Sequence, residues 1–327
     1  MTRRRFRAGL EVGLARAGLA IIPRLSRPAL RRVANILGRL AMRFGGPRVR
    51  QVALANLERV FPGKTDAERR AILAHSFQTF ALSMLDVFWL ARDTRRRIGE
   101  LMELDPSYDA IIAPGPMICV TAHLGNWEIL GMAVSHRSGE PLASVAATLK
   151  NRRVDELFRG LRETTGQEVV PRRGAVRPLL KTLREGRKIA LVLDQNTKPY
   201  DGGIFVDFLG LPAPISTAAA LLALRTGAPV VVGFSLPTPD GRYTTAPLVH
   251  VPTADLPGDQ DEAVRILTTR IAQILGEQIR RTPEFWVWSY KRWKLIPPGA
   301  RAEDYPAYAR PLRQSDLVRA QKRSTSE

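Results

Sequence analysis

Near Met117 the chain changes its hydrophobic period, and this change leaves few architectures open. Before it, apolar residues recur at helical spacing: Leu30, Val33, Ile36, Leu37, Leu40 and Phe44, ended by Gly45-Gly46-Pro47, then Val49 to Val60. Thr65-Asp-Ala-Glu68 reads as a capping box opening a third helix through Phe77, Phe80, Leu82, Leu85, Phe88 and Trp89. After it, short apolar runs at 117–121, 142–148, 168–170, 188–193, 229–235 and 243–250 alternate with helical patterns at 127–136, 153–165, 174–185, 216–226 and 261–281. Such alternation predicts an α/β domain with a largely parallel sheet flanked by helices. The expected organisation is a basic helical region over 1–110, an α/β domain over 111–296 and a polar, disordered tail over 297–327.

The stretch Ile118-Cys-Val-Thr-Ala-His123-Leu-Gly-Asn-Trp-Glu128-Ile-Leu130 sits at the start of that domain. His123 falls in the turn after a strand, and Glu128 in the first turn of the next helix. Five residues apart on one helix, the two side chains would diverge by about 140° at 3.6 residues per turn. The turn at Gly125 lets them meet. An imidazole held by a carboxylate is a general base with a fixed tautomer. No serine, cysteine or threonine stands between them as a nucleophile, so the simplest chemistry removes a proton from a substrate hydroxyl. The bland alternative is a loop histidine and a surface glutamate. Asp194 also directly follows a strand, so His123 and Asp194 both fall on the carboxyl edge of the sheet, where α/β ligands gather.

The 327 residues carry a net charge of +19, unevenly placed. Residues 1–50 hold thirteen Arg against one acid, Glu11. That segment seeks a polyanion, an anionic membrane face or a nucleic acid. Within it, residues 8–23 are apolar but interrupted by Glu11 and Arg16; the clean run Ala17 to Ile22 is far short of the ~20 residues a span needs. The reading is an amphipathic helix in the membrane interface, with a single span or a soluble packed helix as alternatives. No cleavage site of convincing form follows, so no signal peptide is expected. The one cysteine, Cys119, lies in an apolar run, which excludes a disulfide framework and points to a reducing compartment. The histidines are scattered without zinc spacing, so no metal is expected, and no cofactor.

Two later stretches stand out. Leu191-Val-Leu-Asp194-Gln-Asn196 runs into a long loop to Pro214 with turn chemistry at Gly202-Gly203. Phe285-Trp-Val-Trp-Ser-Tyr-Lys-Arg-Trp-Lys294 interleaves aromatics with cations. It suits a nucleic-acid groove, a lipid interface, or a core cover with snorkelling cations. A nucleic-acid protein lacks support from any helix-turn-helix, zinc or RNP signature. A serine hydrolase lacks a G-x-S-x-G elbow.

Taken in order, His123-Leu-Gly-Asn-Trp-Glu128, Asp194-Gln-Asn, Gly203-Ile-Phe-Val-Asp-Phe208-Leu-Gly210, Leu224-Arg-Thr-Gly-Ala228 and Pro283-Glu-Phe-Trp-Val-Trp288 form a set. It resembles the bacterial lipid A late acyltransferase family, lauroyl/myristoyl type, within the H-x4-D/E lysophospholipid and glycerolipid acyltransferases. Asn56-Leu-Glu-Arg-Val-Phe61-Pro62 is similar to that family's helical region. The resemblance implies a membrane-associated enzyme of the inner membrane's cytoplasmic face. It would move a fatty acyl chain from acyl carrier protein or coenzyme A to a hydroxyl of lipid A or a related glycolipid. It implies His123 as general base with Glu128 as its partner. Gly125, Asn126, Arg162 and Asp194 would contact substrate, with Arg162 or backbone amides near Gly125 steadying the oxyanion. The implied partners are the thioester donor, the lipid acceptor and an anionic membrane surface, with no nucleic acid. Two departures bear on the acceptor: Asp194-Gln-Asn196 replaces a frequent Asp-x-Asp, and Ser289-Tyr-Lys-Arg-Trp293 replaces a frequent His-Arg-Arg-Phe. The family includes enzymes acting on phosphatidylinositol mannosides.

Overall fold

The computed structural model describes residues 3–148, 150–313 and 315–316. Four helices lead the chain: α1 (Arg3–Ile21), α2 (Arg27–Phe44), α3 (Pro47–Val60) and α4 (Asp66–Trp89). The capping box at α4 forms as the sequence predicts. Glu68 N–H donates to Thr65 Oγ1 at 3.3 Å, and Thr65 N–H donates to Glu68 Oε2 at 2.7 Å. Helix α2 buries Leu30, Ala34 and Gly38, one residue per turn along one stripe, against α4. Gly38 permits the approach: a Cβ there would lie 2.7 Å from the Gln78 Cα. The short helices α5 (Thr94–Leu101) and α6 (Asp109–Ile112) lead into the α/β part.

The central sheet uses β1 (Met117–Thr121), β2 (Leu142–Ala146), β3 (Gln167–Pro171) and β4 (Lys188–Val192). The hairpin strands β5 (Gly203–Phe208) and β6 (Leu211–Ser216) stand apart, and β7 (Val230–Val232) and β8 (Val249–His250) complete the sheet. Its order is β8-β7-β1-β4-β2-β3, parallel throughout except for β8 against β7. Helices α7 (Trp127–Ser138), α8 (Arg152–Glu163), α9 (Val176–Arg184), α10 (Ala218–Thr226) and α11 (Gln260–Arg281) make the crossovers and flanks. Ile118, Val120, Val230, Val231 and Val232 are all buried, as strands covered on both faces must be. Each such side chain contributes about 1.5–3 kcal/mol of burial. The expected fold class is therefore the one observed.

Three local differences have physical causes. The long loop expected after Asp194 contains the β5–β6 hairpin, whose register Phe208↔Leu211 leaves a two-residue turn, Leu209-Gly210. Both turn residues have positive φ, 60° and 92°, the primed geometry that hairpins favour. A leucine at the first position hides the turn from a reader looking for Asn-Gly. The expected strand 243–250 is two pieces: Tyr243–Thr245 joins Ser235–Pro237 and Met102–Glu103 in a small sheet, and only Val249–His250 reaches the central one. The expected disordered tail is packed over 297–313, where Tyr305 and Ala309 are buried and Tyr308 Oη donates to Asn56 Oδ1. Residues 317–327 lie outside the described residues.

Among the described residues, α4 is the one helix long and apolar enough to cross a membrane by length and composition. The segment 8–23, read above as the interfacial helix, is not. Eight of the large exposed apolar side chains lie in the first three helices: Leu10, Leu14, Ile21, Ile36, Leu37, Leu40, Phe44 and Val49. Arg39 and Arg43 are exposed beside them on α2.

Candidate active site

Parallel pairing of β1 with β4 builds the site. Thr121 is opposite Val192, and Leu193 N–H donates to Thr121 C=O at 3.1 Å. Two residues beyond each strand stand His123 and Asp194, carried by the register to the same point on the carboxyl edge. His123 Nδ1 lies 2.7 Å from Asp194 Oδ1. A carboxylate only accepts, so Nδ1 carries the hydrogen and Nε2 keeps its lone pair. Asp194 Oδ2 accepts from the His123 backbone N–H at 3.1 Å and from Trp286 Nε1–H at 2.7 Å. Trp127 packs edge-on against the imidazole, centroids 4.9 Å apart. Ring, tautomer and tilt are thereby fixed.

The electrostatics follow from burial opposed by charge. Burial pulls the His123 imidazole down, but Asp194 first and Glu128 second outweigh it, leaving the ring above its ordinary value. Burial pushes the Asp194 carboxyl up, but His123, the Trp286 indole and the His123 amide together hold it below its ordinary value. Cys119 is no nucleophile: burial pushes its thiol up to about 12.

Glu128 is not the carboxylate bonded to His123, which corrects the expectation from H-x4-E. It forms a bidentate pair with Arg162 from the last turn of α8, at 2.8 Å (Nε) and 2.7 Å (Nη2). It still bears on His123 as a nearby charge. Gly125 and Asn126 do not line the cavity where substrate contact was expected. Gly125 has φ 60°, and a Cβ there would meet the Ser235 carbonyl oxygen at 1.7 Å. Its N–H donates to Phe285 C=O at 2.9 Å and its C=O accepts from Ser83 Oγ at 2.8 Å. This amide is therefore spent and steadies no oxyanion. Asn126 is fully buried. It caps α7 by accepting from Ile129 N–H at 3.1 Å and donates to Asp86 Oδ2 at 3.0 Å. Asp194 is buried, does not line the cavity, and is bonded to the histidine.

Sequence reasoning missed Trp286. In the stretch 285–294, Trp286, Trp288, Trp293 and Arg292 are fully buried. The aromatics therefore cover the core and present no groove. The signal was there in the three tryptophans, but buried and displayed aromatics look alike in sequence.

His123, Glu128 and Arg162 open onto one cavity of about 2440 Å³. Sites for drug-sized ligands run to about 300–1000 Å³. Its lining includes the apolar Leu130, Val134, Leu142, Leu191, Leu221 and Val264. Among the described residues no cluster of three or more His, Cys, Asp or Glu is placed to hold a metal.

An imidazole backed by a carboxylate, at the carboxyl edge of a parallel sheet and on the wall of a large cavity, has the geometry of a general base. The model of the family "Bacterial lipid A biosynthesis acyltransferase" matches residues 6–295, and the chain belongs to that family and is an acyltransferase. A phosphatidylinositol mannoside acyltransferase of Mycobacterium tuberculosis (strain CDC 1551 / Oshkosh) is 28% identical over 292 residues, covering 85% of this chain and 86% of that one. The lipid A biosynthesis lauroyltransferase of Escherichia coli (strain K12) is 23% identical over 285 residues, covering 86% and 90%. The lipid A biosynthesis myristoyltransferase of the same strain is 26% identical over 291 residues, covering 87% and 86%.

Proposed function

We propose that this enzyme moves a fatty acyl chain from an acyl thioester, on acyl carrier protein or coenzyme A, to a hydroxyl of a membrane glycolipid. The observation carrying this reading is the His123–Asp194 pair, with His123 on the wall of a cavity of about 2440 Å³. His123 Nε2 takes the proton of the acceptor hydroxyl as its oxygen attacks the thioester carbonyl. Asp194 holds the imidazolium that forms. The tetrahedral intermediate collapses, the C–S bond breaks, and His123 returns the proton to the leaving thiolate. No acyl-enzyme forms. Arg162, clamped by Glu128 on the cavity wall, supplies positive charge toward the oxyanion or the donor's phosphate. The acceptor is lipid A or a related glycolipid; identity of 28% to the mannoside enzyme favours a phosphatidylinositol mannoside over lipid A itself.

The same reading places the enzyme on the cytoplasmic face of the inner membrane. Ile36, Leu37, Leu40 and Phe44 on α2, beside exposed Arg39 and Arg43, suit an anionic bilayer surface. The test supplies acyl carrier protein and coenzyme A thioesters together with lipid A precursor or phosphatidylinositol mannoside. Products are read by mass spectrometry. One added acyl chain on either lipid, absent with His123→Ala, supports the reaction and names donor and acceptor. Thioester turnover independent of His123 overturns it.

A further inference from the structure

Attack on a thioester turns its carbonyl oxygen into an oxyanion, and a hydrogen-bond donor close to the base must meet it. The turn that carries His123 offers none from its own backbone. His123 N–H donates to Asp194 Oδ2 at 3.1 Å, Leu124 N–H to Ala122 C=O at 2.7 Å and Gly125 N–H to Phe285 C=O at 2.9 Å. All three amides are spent.

A different group meets the imidazole. Gln195 Nε2 lies 3.4 Å from His123 Nε2, and both residues line the cavity. His123 Nδ1 carries its hydrogen toward Asp194, so Nε2 presents a lone pair. Facing a lone pair, the Gln195 amide must point its nitrogen, which donates, and not its oxygen. The chain on either side of Gln195 is anchored. Asp194 accepts from His123 Nδ1, the His123 amide and Trp286 Nε1. Asn196 donates its N–H to Tyr290 Oη at 3.1 Å and Nδ2 to Lys291 C=O at 2.9 Å, and its Oδ1 accepts from Arg292 Nη1. Between these anchors, the Gln195 side chain has one hydrogen bond among the described residues, the one to His123. At 3.4 Å it is longer than the usual range of about 2.7–3.2 Å, so an incoming hydroxyl can take the lone pair from it at small cost.

We infer that Gln195 is a catalytic residue: displaced from His123 Nε2 by the acceptor hydroxyl, its amide N–H donates to the oxyanion of the tetrahedral intermediate. The displacing hydroxyl is the nucleophile, so the carbonyl it attacks is brought beside the amide it displaced. As the O–C bond forms, the carbonyl π pair moves onto oxygen, where the Gln195 N–H meets it. As the C–S bond breaks, the pair returns to the carbonyl. No proton leaves Gln195; the hydroxyl proton stays on His123 Nε2 until it passes to the thiolate. Arg162 is then left to the donor's phosphate. This rests on the acyl-transfer reading with His123 as base, and the test separates the two.

Gln195→Ala and the similarly long Gln195→Met both remove the donor. Each should lower kcat by about 10²–10³-fold, with KM for thioester and for lipid within about threefold and the thermal midpoint near wild type. Binding of two donor analogues gives a second readout. A difluoroketone with a methylene between carbonyl and sulfur hydrates to a tetrahedral diol, and should lose at least about tenfold in affinity in either variant. The S-alkyl thioether of the same donor has no carbonyl and should bind wild type and both variants alike. Turnover within about tenfold of wild type in both variants, or a loss carried by KM alone, would overturn the inference. So would equal losses for the two analogues. Turnover surviving in His123→Ala would overturn the acyl-transfer reading itself, whereas turnover lost there but kept in both Gln195 variants would remove Gln195 alone.

Discussion

Two carboxylates bracket the turn from His123 to Asn126, and the fold treats them in opposite ways. Asp194 and Asp86 are both almost wholly buried. Asp194 accepts from His123 Nδ1, the His123 amide and Trp286, and is held below its ordinary value. Asp86 accepts from Arg27 and, at 2.5 Å, from Tyr243 Oη and, at 3.0 Å, from Asn126 Nδ2, yet burial pushes it above its ordinary value. Burial alone therefore does not mark a catalytic acid. Asp194 touches His123, which opens onto the cavity. Asp86, in the last turn of α4, ties α2 through Arg27, the small sheet through Tyr243 and the active-site turn through Asn126. One carboxylate serves the proton and the other the scaffold.

The largest effects should fall on turnover at the first and on stability at the second. His123→Ala and Asp194→Asn should each lower kcat by about 10²–10⁴, His123→Ala with the thermal midpoint near wild type and Asp194→Asn with the loss of the stabilisation that ionised Asp194 supplies. Asp86→Ala leaves Arg27, Tyr243 and Asn126 facing a void and should cost about 3–5 kcal/mol in denaturant unfolding. If Asp86→Ala instead unfolds like wild type but loses turnover, the division between the two acids is wrong. Their acid responses should also be opposite. The stabilisation from depressed Asp194 is present above pH ~3.9 and is lost as pH falls through its folded value. The burial cost at raised Asp86 is present at neutral pH and is relieved as pH falls through its folded value. Asp194→Asn should accordingly flatten the loss of stability below pH ~4, a difference readable by acid titration of the circular dichroism.

Gly125→Ala should come next. Its φ of 60° disfavours a side chain, and the Ser235 carbonyl oxygen occupies the place of the new Cβ. The cost should exceed about 1 kcal/mol, measured by denaturant unfolding. Because the strain lies between the two acids, turnover and stability should fall together.

The α/β class, the carboxyl edge and the positions of His123 and Asp194 upon it were legible because a parallel sheet imposes them. What was not legible was which acid meets the imidazole. H-x4-E is a local pattern and favours Glu128 because it is near in sequence. The true contact comes from the register Thr121↔Val192, a relation between residues 71 apart in the chain. Arg162 was placed on the site by resemblance, but its bond to Glu128 needs the α7–α8 packing to be seen. The resemblance puts Asn126 against substrate; its partner Asp86 lies on a helix whose apolar pattern gives no hint of a buried ion pair.

Glu128→Gln gives the smallest expected effect and the sharpest test of the comparison. The glutamine keeps one acceptor for Arg162 but loses the bidentate charge-assisted pair, a change of about 1–3 kcal/mol at a half-buried site. It also removes the weaker of the two charges that raise His123. Turnover should stay within about tenfold of wild type, the loss following from a loosened Arg162. The base must be neutral to act, so rate rises with pH through the His123 titration. With Glu128 uncharged that limb should shift to lower pH, by less than in Asp194→Asn, because Glu128 acts only through space. A Glu128→Gln loss as deep as that of Asp194→Asn, with the limb displaced as far, would mean that Glu128 swings from Arg162 to His123 during the reaction and shares the role assigned to Asp194.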